Sequence, residues 1–273
     1  MPIESQSRDQ KESNEQWLDR NKSLRMDANN ELFPQDRREF HVERYRFALQ
    51  YVKNKDVVDA ACGTGYGSNL LGGTASSVTG IDISQESIDY ANATYGNESV
   101  RFSKACVEQT PLDSSSVDLV VSFETLEHTL SPKAAMFEFA RILRPDGMAV
   151  ISIPNQWGYT KNHFFDFDVP MLKEHVATCF QEAELFYQNS GGKRSRGPKG
   201  IGKFTRPEEA ECVLAVCRGP RKEALPDSPM DFWMDEIYCN SFKRHREFVD
   251  LHRRRGGFFG RLGRSLRKRM RRL

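Results

Sequence analysis

The stretch Val57-Val58-Asp59-Ala60-Ala61-Cys62-Gly63-Thr64-Gly65-Tyr66-Gly67 decides the reading of this chain. Residues 56–60 form a short β-branched run that reads as a strand, a glycine-rich turn follows, and a helix is expected from about Tyr66. Glycines at such a turn let the backbone adopt positive φ and approach a ligand closely. The helix start behind them offers N–H groups without intrahelical partners. Dinucleotide enzymes use this geometry for a pyrophosphate, with the spacing G-x-G-x-x-G. Here the order is Asp-x-x-Cys-Gly-x-Gly, with Gly67 two residues after Gly65. An acid beside the turn suits an anion poorly; it suits a ligand that carries ammonium and sulfonium charge. The plain alternative is a tight strand–helix turn that binds nothing.

About twenty residues on, Gly80-Ile81-Asp82-Ile83-Ser84 repeats the strand-then-acid pattern. A carboxylate at the end of a second strand can accept both hydroxyls of a ribose. The alternative, a helix-capping Asp, is weaker because Ser84 is better placed as the cap. Further strands are read at 77–82, 100–105, 117–123 and 148–153, with helices at 40–52, from Ser84 through Tyr90, and at 132–143; Arg144–Gly147 is a turn. Their continuous apolar runs and alternation predict a doubly wound, mostly parallel α/β sheet. Beyond them a helix at 171–179, strands at 183–187 and 210–218, and a flexible basic loop at 191–203 are expected.

The ends differ from this middle. The chain has 273 residues and 38% hydrophobic side chains, a fraction diluted by polar termini. Residues 1–30 lack periodicity and read as a flexible segment, 31–218 as the folded domain, 219–255 as a linker with an appended helix, and 256–273 as a basic tail. The tail carries seven of the 40 Lys and Arg and no acid, so the other residues hold 33 basic against 38 acidic groups and the net +2 hides two surfaces. Its apolar residues Leu262, Leu266, Met270 and Leu273 recur three or four apart, as in a helix lying on an anionic membrane. A solvated tail is the alternative. The acidic body and the lack of aromatics after Phe259 speak against nucleic acid. Six cysteines show no C-x-x-C pair, and no signal-like or membrane-length apolar run is present. The expectation is a cytoplasmic protein with free thiols, peripheral at most to the inner membrane face.

On these residues, together with Val120–His128 (VVSFETLEH) and Arg141–Asn155 (RILRPDGMAVISIPN), the chain resembles the class I S-adenosylmethionine-dependent methyltransferases. It is similar to a branch whose bacterial members accompany glycan and O-antigen synthesis. The resemblance spans roughly 40–218 and implies a seven-stranded sheet whose last strand, 210–218, runs antiparallel. It implies that Asp59, Gly63, Thr64 and Gly65 meet the methionine part of S-adenosylmethionine, that Asp82 binds the ribose, and that Ile83 packs on the adenine. The family commonly has an acid for the adenine amino group after strand three; this chain has Cys106 and Val107, whose backbone N–H can still serve the ring. Phe123 belongs to the same wall. The segment 41–48 resembles an entry helix over the cofactor, so that Arg44 or Tyr45 touches it, or simply packs.

The expected reaction is O-methylation of a carbohydrate or small-molecule hydroxyl. Such an acceptor needs a proton removed. Glu124, Glu127 and His128 cluster after strand four, with His128 the first choice of base because its intrinsic pKa lies near neutrality. They also form a potential ligand set, but their geometry is open and the sequence calls for no metal. The aromatic segment 155–167 should form the acceptor side, with His163 in place of a family histidine. Two other functions stay open: an S-adenosylmethionine-binding regulator without turnover, and a nucleic-acid methyltransferase guided by the tail. The second lacks the Asn/Asp-Pro-Pro-aromatic sequence of amino-directed enzymes, having Ser122-Phe123-Glu124-Thr125 instead.

Overall fold

The structure, a computed structural model, describes residues 27–29, 34–158, 163–192, 197–203 and 209–222. The expectations for most of the first 30 residues, the appended helix and the basic tail lie outside these.

The elements run α1 (Gln35–Ala48), a 3₁₀ turn (Leu49–Tyr51), β1 (Asp56–Ala60), α2 (Tyr66–Gly72), β2 (Ser77–Asp82), α3 (Gln85–Tyr95), β3 (Val100–Lys104) and β4 (Val117–Phe123). A 3₁₀ turn (Leu126–His128) follows, then α4 (Pro132–Ile142), β5 (Leu143–Pro154), α5 (Val169–Cys179), β6 (Phe180–Asn189), β7 (Gly200–Gly202) and β8 (Cys212–Pro220). The strands form one sheet in the order β3-β2-β1-β4-β5-β8-β6-β7. From β3 to β5 all pairs are parallel; β8 is antiparallel to both β5 and β6, and β7 is antiparallel to β6. The parallel core and the antiparallel last strand are as expected, but the described sheet has eight strands rather than seven. The extra one, β7, lies in the expected basic loop: Tyr187, Gln188 and Asn189 pair with Gly202, Ile201 and Gly200, so an edge ladder orders a glycine-rich segment that has no apolar pattern of its own.

The remaining boundaries shift modestly. Ser84 caps α3 by accepting from the backbone N–H of Ser87, as the sequence indicated. The turn expected at Arg144–Gly147 is absorbed into β5 as an irregularity, because pairing with β4 jumps from Val117↔Leu143 to Leu119↔Met148. Helices cover both faces. Leu126, Phe139, Ile142 and Leu172 are buried on one side, with Ile151 and Val213 of the sheet; Tyr45, Ala48, Leu71 and Ile88 are buried on the other, with Val57 and Val121. Burial of 57–60, 119–122 and 149–154 on the central strands explains the largely apolar sequence there.

One contact ties α1 to the strand–turn–helix at the centre. A Cβ built on Gly67 would lie 2.0 Å from the ring of Tyr45, so only glycine admits that ring. The Tyr45 hydroxyl donates to Asp59 Oδ1 at 3.3 Å, and Ser68 Oγ donates to Asp59 Oδ2 at 2.7 Å. Asp59 is fully buried. Burial pushes its pKa up to about 7, against the hydrogen bonds from Ser68 and Tyr45, with the charge of Asp82 adding to the rise.

Gly67→Ala should therefore destabilise the fold by about 1–3 kcal/mol through overpacking, read as a lower urea midpoint with an unchanged slope. Asp59 gives a second test. With a folded pKa near 7 and an unfolded one near 3.9, the folded chain keeps a proton that the unfolded chain has lost. Its contribution is present below about pH 4 and is lost as the pH rises through about 7, by roughly 4 kcal/mol at most. Asp59→Asn should flatten the fall in urea midpoint between about pH 4 and 7 relative to wild type; parallel profiles would remove Asp59 as its source.

Candidate functional site

The strand order reverses direction between β1 and β4, the point where open α/β sheets leave a crevice at the carboxyl ends of their strands. A cavity of about 590 Å³ opens there. Segments just past four strands supply its wall: Ala61–Gly63 after β1, Asp82 and Ile83 at β2, Ala105–Glu108 after β3, and Phe123–Thr125 at β4. Helix α1 closes one side with Arg37, His41, Arg44 and Tyr45, while His128, Thr129, Leu130 and Phe164 face it from the other parts of the chain. The backbone bends sharply where the strands deliver it. Ala61, Glu124 and Gln156, just past β1, β4 and β5, all have φ between 51° and 63°. Such values are uncommon outside glycine and cluster at functional sites. In the turn itself Gly63 and Gly65 take φ 56° and 84°.

Of the residues expected around a cofactor, Gly63, Asp82, Ile83, Cys106, Val107 and Phe123 line this cavity. Asp59, Thr64 and Gly65 do not: Asp59 and Thr64 are buried beneath the turn, and Gly65 is packed against Phe102 and Ala91, which a Cβ would strike at 2.7–2.8 Å. Asp59 thus shapes the turn from below through Ser68 and Tyr45. Asp82 ends β2 with its carboxylate fixed by two backbone donors, Gly63 N–H at 3.0 Å and Ser84 N–H at 2.9 Å. Each oxygen has a further lone pair for a ligand hydroxyl. Next to it Ile83 is 64% exposed, a large apolar side chain left open on the cavity wall.

Glu108, which carries no expected role from its sequence position, also lines the cavity. Its Oε2 accepts from Cys106 Sγ at 2.7 Å, and its Oε1 accepts from the backbone of Leu130 and Ser131 at 2.8 and 3.1 Å. The turn Cys106–Gln109 folds back on itself through an isolated bridge, so a carboxylate two residues past the expected position reaches the wall. The spacing Cys106-x-Glu108 was the available signal. Burial pushes the Cys106 thiol up to about 11, with Glu108 adding to the rise, so it stays a protonated donor.

Arg44 of α1 is fully buried and reaches over the site. Its Nε donates to Gln188 Oε1 at 2.8 Å and its Nη2 lies 3.8 Å from Glu124 Oε2. Burial works against its charge, but Glu124 and Cys212 outweigh it and hold the guanidinium protonated. Neighbouring His41 is driven the other way, down to about 2, by burial and by Arg44 and Arg37. It is a neutral imidazole whose Nδ1 faces Arg44 Nη1 at 3.3 Å.

The four residues expected to handle the acceptor divide into two groups. Glu124 turns toward Arg44, accepts from Ser152 Oγ at 3.1 Å and takes a contact from Cys212 Sγ at 3.6 Å. Glu127, His128 and His163 come together instead: His128 Nε2 lies 3.6 Å from Glu127 Oε1, and the two imidazole rings meet edge to face at 4.9 Å. The ligand set Glu124–Glu127–His128 is therefore replaced by Glu127–His128–His163. Of this trio His128 lines the cavity while Glu127 is buried behind it. Of the aromatic segment, Phe164 lines the cavity, Phe165 and Phe167 are core, and Trp157 donates its indole N–H to the carbonyl of Glu211. No helix among the described residues is long and apolar enough to cross a membrane, and the five described cysteines are free thiols.

Residues 58–151 match the family model described as a methyltransferase domain. A protein of Mycolicibacterium smegmatis named "Probable S-adenosylmethionine-dependent methyltransferase" is 34% identical over 136 residues, 50% of this chain and 51% of its own length. A ubiquinone biosynthesis O-methyltransferase of Rickettsia bellii is 28% identical over 117 residues, 42% of this chain and 48% of its own. The chain thus spans about half the length of the curated relatives it matches. Among solved structures, a TehB-like S-adenosylmethionine-dependent methyltransferase of Corynebacterium glutamicum aligns with TM-score 0.52 and 19% identity, over 76% of this chain and 97% of that one. The [4+2]-cyclase SpnF aligns with TM-score 0.53 and 15% identity, over 72% and 86%. The stretch 58–151 therefore matches the methyltransferase domain, and the sheet around it has the Rossmann-like fold of class I methyltransferases.

Proposed function

We propose that this chain binds S-adenosylmethionine in the cavity at the strand switch point and catalyses methyl transfer to a hydroxyl of a small-molecule or carbohydrate acceptor. The observation that carries the reading is the joint placement of Gly63, Asp82 and the exposed Ile83 on one wall of that cavity. The residues fit the cofactor. A fixed carboxylate beside an open apolar side chain suits a ribose next to a purine, and about 590 Å³ falls within the range of small-molecule sites. Glu108 and the backbone of Val107 add polar groups at the purine end, and Arg44 with Glu124 offers both signs of charge to an amino-acid end. The names of the relatives support the same cofactor, and the O-methyltransferase among them supports a hydroxyl acceptor.

S-adenosylmethionine supplies an electrophilic methyl group on a sulfonium. What the chain contributes is placement and proton handling. Alignment of acceptor oxygen, methyl carbon and sulfur is worth several kcal/mol when it is fixed before reaction. His128, on the cavity wall, takes the acceptor's hydroxyl proton, with Glu127 Oε1 3.6 Å from its Nε2 to stabilise the imidazolium. Phe164 offers an apolar face on the same side, as a sugar ring or a small aromatic acceptor requires. The basic tail adds a means of holding the enzyme at an anionic membrane surface, on the ground of its seven basic residues and its apolar spacing.

Calorimetric titration tests the cofactor site. Asp82→Ala should weaken S-adenosylmethionine binding roughly tenfold or more, since charge-assisted hydrogen bonds are each worth about 1.5–3 kcal/mol. Asp82→Asn, which keeps one acceptor, should fall between; affinities equal to wild type would sink the assignment. His128→Ala should leave that affinity unchanged and lower turnover of a hydroxyl acceptor by about 10²–10⁴-fold.

A further inference from the structure

We propose that Glu127, His128 and His163 bind one divalent transition-metal cation of the zinc–cobalt–nickel class at the acceptor side of the cavity. The ligand atoms of these three side chains all lie within 4.8 Å of one another. Around a tetrahedral cation with bonds of about 2.0–2.1 Å, ligand atoms sit roughly 3.3 Å apart. His128 Nε2 and Glu127 Oε1, at 3.6 Å, are already near that value. The imidazole of His163 stands edge to face with that of His128, their planes inclined by 74°. Two rings so inclined can direct nitrogens at a common point, and a small side-chain rotation closes the rest of the gap.

The backbone also holds the trio together. The carbonyl of Glu127 accepts from the N–H of Phe164 at 2.6 Å and of Phe165 at 3.2 Å. The loop that carries His163 is thereby stitched onto the 3₁₀ turn that carries Glu127 and His128. Residues 35 positions apart are thus fixed face to face. Two imidazoles and one carboxylate favour zinc, cobalt or nickel over magnesium or calcium, which prefer all-oxygen sets. Three protein ligands leave a coordination position open. His128 lines the cavity, as does Phe164, the residue after His163, so that position opens toward the acceptor. A hydroxyl bound there would ionise more readily. An imidazole nitrogen that holds a cation does not also take a proton, so with the cation bound His128 serves the acceptor as a ligand and the cation lowers the barrier to losing the proton to water. This use rests on the methyl-transfer reading; binding itself does not.

The test is equilibrium dialysis of the full chain, stripped with EDTA, against Zn²⁺, with Co²⁺ as a spectroscopic probe and Mg²⁺ as comparison. The expected result is one tightly bound Zn²⁺ per chain, weak binding of Mg²⁺, and a cobalt spectrum with ligand-field bands but without thiolate charge transfer. His163→Ala and His128→Gln should each weaken Zn²⁺ binding by about 1000-fold, more than the 10–100-fold lost with an outer partner of a metal ligand. Glu127→Gln tests the carboxylate. S-adenosylmethionine titrated into the stripped proteins shows that each variant is folded and reads the cofactor assignment separately. No Zn²⁺ uptake by wild type, uptake equal in all variants, or a thiolate band in the cobalt spectrum would overturn the site.

Discussion

The ring of Tyr45 sits where a side chain on Gly67 would be, and the arrangement of the site depends on that contact. It presses α1 onto the turn after β1, lets the Tyr45 hydroxyl reach Asp59, and brings the ring against Phe123 and Tyr66 at 4.9 and 5.4 Å. Once α1 is seated, Arg44 projects toward Glu124 and Gln188, so a residue of the entry helix, one just past β4 and one of β6 are joined in a single buried charge network. Interiors are packed like crystals, and such a contact has few alternatives. The glycine turn is thus compressed from one side by a helix and supported from below by a buried carboxylate.

Burial also divides the acidic residues by task. Asp59 has no access to the cavity and acts through the groups it accepts from, whereas Asp82 keeps its oxygens at the wall while two backbone N–H groups hold it still. Glu124 and Glu127, three residues apart, separate in the same way. One neutralises Arg44; the other backs His128. A carboxylate's use follows from which opposing group the fold sets beside it, because burying a charge without a partner is costly.

The fold does not name the chemistry. A methyltransferase and a [4+2]-cyclase superpose on this chain with almost equal scores. Function lies in the groups that line the site. Here the β1–β3 side of the cavity presents a carboxylate, an open apolar side chain and backbone N–H groups, while His128 and Phe164 add an imidazole and an aromatic ring. That asymmetry supports one end built for a cofactor and another for an acceptor.

The sequence by itself determined the parallel core. β-Branched runs between helical segments have no other way to bury both faces, and Gly63 and Gly65 mark a turn where the backbone bends left-handed. Asp82 was legible too, because a strand end fixes the direction of the next side chain. Only the tertiary structure decided the rest. Glycine-rich β7 has no periodicity and becomes a strand because β6 offers it an edge. Asp59, at the same kind of strand end as Asp82, is sealed under Tyr45 by a helix that precedes it in the chain. Glu108 reaches the wall only through the fold-back at Cys106–Gln109. His163 finds His128 and Glu127 through two backbone hydrogen bonds that close a separation of 35 residues. Local pattern reports what a segment buries; it carries no record of which distant segment will be pressed against it.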